Sequence, residues 1–147
     1  MDESGARIVV GVDDSEGAAA ALAWALDDAR RRDAALEVVH AWTFPNLDLV
    51  DYGGTRVPMI AAEDIAQAAE AWTRRMVAEA IGSDEAVPVS ATAPRGHPAH
   101  VLLDAARGAD LLVVGTRGHG GFAGMLLGSV SSHVVHHATC PVVVVPA

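Results

Sequence analysis

The residues with the clearest chemical meaning lie in a glycine-rich segment between Asp110 and Val135. Six glycines fall between Gly115 and Gly128, directly after an apolar run. Each glycine costs backbone entropy on folding, so a loop that only turned a corner would need one or two. A backbone that must approach a ligand closely can use several, because glycine has no Cβ in the way. This segment therefore has the composition of a ligand-binding loop.

Phosphate is the ligand that these residues suit best. Gly115 and Gly118 would let the backbone pass close to a phosphate oxygen. Gly128 and Ser129 open a predicted helix whose free N–H groups and dipole favour an anion. The Ser129 hydroxyl can also donate to phosphate or ligate Mg²⁺. Glycine content alone is equally compatible with a flexible turn that ends in a serine N-cap, so both interpretations stay open at this point.

The loop does not match two familiar phosphate motifs. It lacks the lysine of a P-loop, and it does not follow the first strand, where the dinucleotide fingerprint belongs. No Asp or Glu follows Asp110 in the sequence, whereas Arg117 and four histidines do. An anion would therefore be tolerated at this end of an otherwise acidic chain.

Composition and charge exclude several classes of partner. The formal net charge of −9 repels the phosphate backbone of nucleic acids. The one cysteine, Cys140, permits no internal disulfide framework. The acidic start is unlike a secretory signal, and no apolar stretch reaches the roughly eighteen residues of a membrane span. We expect residues 1–147 to form a single domain of a cytoplasmic protein, with no nucleic-acid or membrane partner.

Apolar runs alternate with helical patterns along the chain. Short β-branched runs predict five strands, at 7–13, 35–42, 87–93, 109–115 and 140–147. Apolar residues at helical spacing predict four helices, at 15–32, from Ala61 or Ala62 to 81, at 97–108 and at 127–138. The connection of about sixteen residues at 43–58 is long enough for a lid or a variable loop. This order predicts an α/β fold with a five-stranded, doubly wound parallel sheet in the order 3-2-1-4-5.

The predicted sheet brings two polar junctions together. Ligands of such sheets bind beyond the carboxyl ends of the strands, where the strand order reverses. In the order 3-2-1-4-5, the first and fourth strands flank that point. "GVDDS", Gly11–Ser15, follows the first strand, and the glycine-rich loop follows the fourth. We therefore expect these two junctions to form one ligand cleft.

Three histidines near the C-terminus also have a spacing with chemical meaning. His133, His136 and His137 stand at i, i+3 and i+4 of a predicted helix, a spacing that can present metal ligands on one face. No fourth ligand is visible in the sequence. Solvent-facing histidines near a helix C-terminus, where the dipole favours a cation, are the favoured interpretation, and we expect no metal site there.

The remaining candidates are interpreted as structural. Cys140 precedes an apolar strand and is expected to be a small buried hydrophobe. Asp13, Ser15 and the nearby histidines do not form a convincing nucleophile, base and acid, so no catalytic residues are predicted. Trp24, Trp42 and Trp72 are expected to anchor the packing of the core. Trp42 follows Ala41 and could also border a bound base.

The spacing of the glycine loop resembles a known signature. The ATP-binding signature of the universal stress protein family resembles this spacing, in which two residues separate Gly115 from Gly118 and nine residues separate Gly118 from Gly128-Ser129. "IVVGVDDSEGAAAALAWA" resembles the family's opening strand and helix, and the chain from "GHPAHVLLDAARG" to "CPVVVVP" resembles its second half. The resemblance is weakest at 43–86, where the family itself varies. The intact signature resembles that of the ATP-binding subgroup.

The resemblance implies a fold and a set of binding residues. The fold is five-stranded and doubly wound, like that of the adenine nucleotide alpha hydrolases, and the ligand is ATP with Mg²⁺. Asp13 would bind the ribose hydroxyls, backbone groups of Ala41 the adenine, and the glycine loop the phosphates. Asp13 and Ser129 are the protein groups that could reach Mg²⁺. Asp14 stands where relatives usually have glycine, and could assist Mg²⁺ or weaken nucleotide affinity. The implied ATP-binding residues are Gly11, Val12, Asp13, Ala41, Gly115, Arg117, Gly118, Gly128, Ser129 and Val130.

The implied function is that of a nucleotide-dependent regulatory protein in stress response or growth arrest. Two alternatives remain: a slow ATPase or phosphoryl-transfer enzyme, and a sensor of AMP or a cyclic adenine nucleotide. Efficient phosphoryl transfer needs a positioned base or water-orienting group and strong cationic stabilisation. Arg117 and the histidines are the available candidates, so we expect at most slow ATP hydrolysis.

The last predicted strand indicates self-association. Val142–Val145 are four uncharged residues at a predicted sheet edge, bracketed by Pro141 and Pro146, and they would leave four consecutive N–H groups free. Such an edge is a template for pairing unless something covers it. A second copy of the strand, antiparallel across a two-fold axis, is the simplest cover. The family resemblance implies the same arrangement, and we expect a homodimer through this strand.

Overall fold

Parallel strands and covering helices account for most of the chain. The computed structural model describes residues 5–43, 49–52, 55–58, 62–83, 86–116 and 127–147. Within them the strands are β1 Arg7–Gly11, β2 Ala35–Val39, β3 Leu49–Tyr52, β4 Thr55–Pro58, β5 Val89–Thr92, β6 Leu111–Gly115 and β7 Val142–Val145. The helices are α1 Glu16–Arg32, α2 Ala62–Ile81, α3 Pro98–Ala105 and α4 Ser129–His137.

Five strands form one parallel sheet in the order β5-β2-β1-β6-β7. Numbered along the chain, these five strands have the predicted order 3-2-1-4-5, which is confirmed. The central strands consist of apolar, largely β-branched residues, and Ile8, Val9 and Val10 of β1 are fully buried. Burial on both faces explains why these runs are continuously apolar instead of alternating.

Each face of the sheet carries its own apolar core. Ile8 and Val10 pack with α1 and α2, together with Leu22 of α1 and Val77 of α2. Val9 points to the opposite face, where it packs with residues of α3 and α4. Successive side chains of a strand point to opposite faces, so one short strand supplies both cores. This two-sided cover is the doubly wound arrangement that the alternation of elements predicts.

The connection after β2 differs from the prediction. The expected sixteen-residue lid or variable loop contains an antiparallel pair, in which Leu49–Tyr52 of β3 pairs with Thr55–Pro58 of β4. Gly53-Gly54 stands between the two strands in the sequence, and a Gly-Gly pair at that place is a known hairpin signal. A role as a lid stays a prediction.

Two further expectations need correction. Trp24 of α1 does not anchor the core, because it is 37% exposed. Helix α4 begins at Ser129, two residues later than predicted, which makes Gly128 its N-cap. No helix in the described ranges is both long and apolar enough to cross a membrane.

Candidate functional site

A cleft with a volume of about 250 Å³ opens at the carboxyl ends of the central strands. The adjacent strands β1 and β6 form its floor, and the starts of α1 and α4 form two of its sides. This is the point where the strand order reverses, as predicted for ligands of doubly wound sheets. The cleft brings together eight predicted residues, namely Gly11, Val12, Asp13, Ala41, Gly115, Gly128, Ser129 and Val130.

Two predicted residues, Arg117 and Gly118, lie outside the described residues. Their proposed contacts with phosphate therefore stay predictions. Asp14 is described, but it is exposed and does not line the cleft.

Asp13 is held by hydrogen bonds at the start of α1. Its Oδ1 accepts hydrogen bonds from the backbone N–H of Ser15, at 2.9 Å, and from the Ser15 hydroxyl. Ser15 is the N-cap of α1, and its Oγ accepts from the Ala18 N–H at 3.3 Å. Among the described residues, no hydrogen bond reaches the second carboxylate oxygen, Oδ2. The serine therefore fixes the orientation of the Asp13 carboxylate through Oδ1.

The start of α4 forms the opposite side of the cleft. Gly128 is the N-cap of α4, and its N–H donates to the carbonyl oxygen of Thr116 at 2.6 Å. The Ser131 hydroxyl donates to the same oxygen at 2.8 Å, so the helix start is fixed to the end of β6. The N-cap Gly128 has no side chain that could cap this terminus, and the first N–H groups of a helix have no intrahelical acceptor. Those of Ser129 and Val130 can therefore donate to an anion in the cleft.

Gly115 is required where β6 enters the cleft. A Cβ added there would lie 3.0 Å from the carbonyl oxygen of Gly17 and 3.2 Å from its carbonyl carbon. The close neighbour is backbone in the first turn of α1, which cannot rotate away as a side chain can. The absence of a side chain at Gly115 thus lets β6 and α1 meet directly beside the cleft.

His40 supports the end of β2 next to Ala41. Its Nδ1 lies 3.2 Å from Thr73 Oγ1, and the Thr73 hydroxyl donates to the Ala69 carbonyl at 2.7 Å. The hydroxyl proton of Thr73 is already donated to the Ala69 carbonyl, so Thr73 Oγ1 can only accept from His40. We therefore place the proton of the His40–Thr73 hydrogen bond on His40 Nδ1. The imidazole also lies against Trp72, with ring centroids 4.5 Å apart. Burial lowers the pKa of His40, against the opposing effects of the Ala69 carbonyl and the carboxylates of Asp13 and Asp14.

Sequence reasoning missed His40, which precedes the cleft residue Ala41 but does not itself line the cleft, and it also missed several residues that do line it. A polar residue directly after an apolar strand was the available signal for His40. The residues that line the cleft and were not predicted are mostly apolar. Their sequence pattern indicates that they are buried, but it does not indicate which cavity they face. These additional lining residues are Ala18, Val39, Pro98, Leu102, Val114 and Ser131, whereas Ser15 belongs to the predicted junction Gly11–Ser15.

Four histidines form a continuous group on the outer face of α3 and α4. Ring centroids are 5.3 Å apart for His97 and His100, 5.6 Å for His100 and His133, and 4.5 Å for His133 and His137. Burial lowers the pKa of His133, and the neighbouring histidines, His137 first, lower it further. His133 is half-buried and not simply solvent-facing as predicted, whereas His136 and His137 are exposed.

Cys140 and Trp42 both pack against the protein interior and lie outside the cleft. Cys140 is half-buried against the core beneath α3 and α4, and burial raises the pKa of its thiol. Trp42 is half-buried, and its Nε1 donates to the carbonyl of Ala93 at 2.8 Å. Trp42 does not line the cleft, so the described structure gives it a packing role.

Two solved structures resemble this fold closely and were determined with adenine nucleotides. A universal stress protein in complex with cAMP matches at 25% identity with a TM-score of 0.70, covering 98% of both chains. The universal stress protein from Archaeoglobus fulgidus in complex with dAMP matches at 25% identity and a TM-score of 0.62, covering 95% of this chain and 97% of that chain.

Sequence comparison leads to the same family. A universal stress protein of Mycobacterium tuberculosis is 36% identical over 146 residues, which cover 97% of this chain and 46% of the relative. The chain thus spans less than half the length of this curated relative. The sequence model of the universal stress protein family matches residues 6–146. The chain therefore belongs to the universal stress protein family.

Proposed function

We propose that the cleft binds an adenine nucleotide, with ATP and Mg²⁺ as its ligand, and that occupancy regulates the protein in stress response or growth arrest. One observation carries the proposal: one cleft is lined both by a carboxylate whose Oδ2 accepts no hydrogen bond from a described residue and by the start of a helix whose N-cap is a glycine. The carboxylate, Asp13, suits the hydroxyls of a ribose, and the start of α4 suits phosphate. The cAMP and dAMP complexes of related proteins support this assignment.

The position of each group suggests how the nucleotide would lie. Ribose would meet Asp13, and the adenine would meet backbone groups of Ala41 at the end of β2. The phosphates would lie along Gly115 and the N–H groups of Ser129 and Val130, with Arg117 and Gly118 in the adjoining loop. In this proposal residues 1–147 act as a single nucleotide-binding domain.

Magnesium fits the oxygen groups that the cleft offers. Mg²⁺ prefers hard oxygen ligands and keeps several waters while it binds one or two protein groups and substrate phosphates. Asp13 Oδ2 and the Ser129 hydroxyl are such groups, and both belong to residues that line the cleft. When bound, the ion would neutralise part of the phosphate charge.

A binding role is better supported than catalysis. Asp13 is the only ionisable side chain among the described residues that line the cleft. Phosphoryl transfer is accelerated mainly by positioned charge, with a group that orients the nucleophile. A slow ATPase therefore remains the lesser candidate. A sensor of AMP or a cyclic adenine nucleotide is the stronger alternative, because both solved complexes contain monophosphates.

The test begins with the ligand that the protein retains. Protein purified without added nucleotide is denatured, and the released small molecules are identified by mass spectrometry. Calorimetric titrations of nucleotide-free protein with ATP, AMP and cAMP, with and without Mg²⁺, then rank the affinities. We expect ATP to bind most tightly and its turnover to stay below about 1 s⁻¹. Tighter binding of AMP or cAMP would favour the sensor, faster turnover would favour an enzyme, and no binding of any of them would refute the nucleotide site.

We also propose that the protein is a homodimer, paired through β7 in a soluble, cytoplasmic setting. In the sheet, β7 pairs with β6 on one side, and the order ends there. The pairing of β7 with β6 shows that the four N–H groups of Val142–Val145 are not all available at the sheet edge, contrary to the sequence-based expectation. Because Leu112 donates to the Pro141 carbonyl, the alternation of a parallel ladder turns the N–H of Val143 toward β6 and those of Val142 and Val144 outward.

Val144→Pro should therefore convert the dimer to a monomer without unfolding it. Proline at 144 removes an outward N–H group and is tolerated at a sheet edge, whereas proline at 143 would break the bond to β6. Sedimentation equilibrium measures the mass of parent and variant, and circular dichroism checks the fold. A parent mass near 15.1 kDa would refute the dimer. A folded Val144→Pro variant that stays dimeric would refute this interface.

A further inference from the structure

We propose that Ser131 is a positioning residue for phosphate: its buried hydroxyl holds the first turn of α4 against the end of β6, and so fixes the backbone N–H groups that would bind phosphate. This role rests on the proposed function, which assigns phosphate to the start of α4. Ser131 lies outside the glycine signature, and its side chain is not among the groups that the proposed function uses.

Ser131 is almost completely buried although it lines the cleft. Its exposed fraction is 3%, and in the part of the chain that the structure describes Thr73 is the other polar residue that is buried. A buried hydroxyl needs a hydrogen-bond partner, because a buried polar group without one costs free energy. The Ser131 hydroxyl is therefore committed to a partner within the protein.

The Ser131 hydroxyl lies near two carbonyl oxygens but has one proton to donate. Its Oγ is 2.8 Å from the Thr116 oxygen, at the end of β6, and 3.2 Å from the Gly128 oxygen. The first distance is that of a good O–H···O bond and the second is longer than one, so the proton goes to Thr116. The hydroxyl then offers a phosphate only lone pairs, which repel an anion. Ser131 is therefore suited to hold the helix and not to bind phosphate through its side chain.

Thr116 is a firm point of attachment for the helix start. Its N–H donates to the Val145 carbonyl of β7 at 3.0 Å, which ties it to the sheet. Its carbonyl oxygen accepts from the Gly128 N–H at 2.6 Å as well as from Ser131, so both of its lone pairs are used. One backbone bond and one side-chain bond thus join the start of α4 to a residue that the sheet holds.

The first turn of α4 carries three N–H groups that need an acceptor from outside the helix. The first intrahelical bond runs from the Ser132 N–H to the Gly128 carbonyl at 2.9 Å. The preceding N–H groups, of Ser129, Val130 and Ser131, have no acceptor within the helix. They can bind phosphate together only if the turn keeps one orientation relative to the cleft.

The Ser131 bond removes a freedom that the backbone bond leaves. With the Gly128 N–H alone bonded to Thr116, the helix start could pivot about that contact. The second bond to the same oxygen restricts the pivot and fixes the donors before a ligand arrives. Fixing binding groups in advance improves affinity because less freedom is lost on binding. The gain applies to the phosphates, since the proposed sites of adenine and ribose lie on other elements.

ATP and adenosine distinguish this role from a general effect on the fold. Nucleotide-free parent and Ser131→Ala are titrated with ATP by calorimetry and with adenosine by NMR at up to millimolar concentrations. We expect Ser131→Ala to weaken ATP binding roughly three- to tenfold, the usual net contribution of one hydrogen bond. Adenosine has no phosphate, so its affinity should stay within about twofold of the parent. Circular dichroism shows whether each variant is folded.

Two further variants separate the hydrogen bond from packing and from the helix in general. Ser131→Cys keeps the volume of the side chain but has only a weak donor, so it should weaken ATP binding as Ser131→Ala does; it also serves as the test variant if Ser131→Ala does not fold. Ser132→Ala makes the same change one residue along α4, where the side chain does not line the cleft. Ser132→Ala should retain the affinity of the parent for ATP.

The outcomes separate this role from the proposed function. If the parent binds ATP but folded Ser131→Ala binds it equally well, the positioning role is wrong and the nucleotide site stands. Equal losses for ATP and adenosine, parent-like affinity in Ser131→Cys, or a loss in Ser132→Ala as large as that in Ser131→Ala would also overturn the role. A parent that binds neither ligand would refute the nucleotide site itself and the role of Ser131 with it.

Discussion

Replacing Asp13 by asparagine is expected to weaken ATP binding at least about tenfold, or ~1.4 kcal/mol, and to leave the fold intact. Oδ1 of Asp13 accepts from Ser15, whereas Oδ2 accepts from no described residue and is the oxygen that we propose for the ribose hydroxyls. Asparagine keeps an oxygen for Ser15 but replaces the anionic acceptor by an NH₂ donor. Hydrogen bonds to a charged acceptor are roughly twice as strong as neutral ones. Calorimetric titration with ATP gives the affinity.

Asp14→Asn is the matched control for this substitution. It removes the same charge one residue away, but Asp14 is exposed and does not line the cleft. Removing a negative charge near the phosphates reduces electrostatic repulsion and by itself strengthens ATP binding. Asp13→Asn and Asp14→Asn both have this effect, so it does not distinguish them. We expect the affinity of Asp14→Asn to stay within about twofold of the parent, as for a surface substitution. Equal effects of the two variants would mean that Asp13 contributes only long-range charge, and an unchanged Asp13→Asn would exclude it from ribose binding.

Gly115→Ala is expected to lower the free energy of unfolding by about 1–3 kcal/mol and to weaken ATP binding as well. Its Cβ would lie 3.0 Å from the carbonyl oxygen of Gly17. Relief requires β6 and the first turn of α1 to move apart, and both elements line the cleft. Urea denaturation measures the stability, and titration with ATP under native conditions measures the affinity.

Two variants separate local crowding from general destabilisation. Gly5→Ala adds a methyl group where no atom lies within 4 Å, so its stability should change by less than about 0.5 kcal/mol. Ile8→Val removes one methyl group from a fully buried position on β1 and should cost about 0.5–1.5 kcal/mol without changing affinity. If Gly115→Ala is as stable as the parent, the close approach to Gly17 is not a constraint. If it is destabilised but binds ATP normally, the cleft does not depend on that approach.

Local patterns were sufficient to predict the sheet. Each strand is a short apolar run, and a residue such as Val9 is buried because both faces of a parallel sheet are covered. The alternation with helices and the right-handed crossover rule then restrict the strand order to a few choices. The antiparallel pairing of β3 with β4 was not predicted, because the length of the connection indicates a lid or a variable loop and carries no information on pairing.

The candidate site was predictable where a residue directly follows a strand or opens a helix. Asp13 and Ser129 hold such positions, and strand order alone places them at one edge of the sheet. Leu102 could not be assigned in this way, since it lies in α3 and its apolar pattern reports burial without a direction. The partial exposure of Trp24 was not predictable for the same reason, because the sequence of a helix does not show how far the neighbouring elements cover each of its side chains.

The sequence by itself determined the family, the strands of the sheet and the two junctions that form the cleft, since these follow from periodicity and motif spacing, and it restricted the strand order to a few choices. Only the tertiary structure decided which oxygen of Asp13 accepts from Ser15, how closely Gly115 approaches α1, and that His100 meets His133. Those features join residues of different elements at distances of a few ångströms. Such distances depend on how the helices pack across the sheet, and packing is the balance of many contacts between distant parts of the chain.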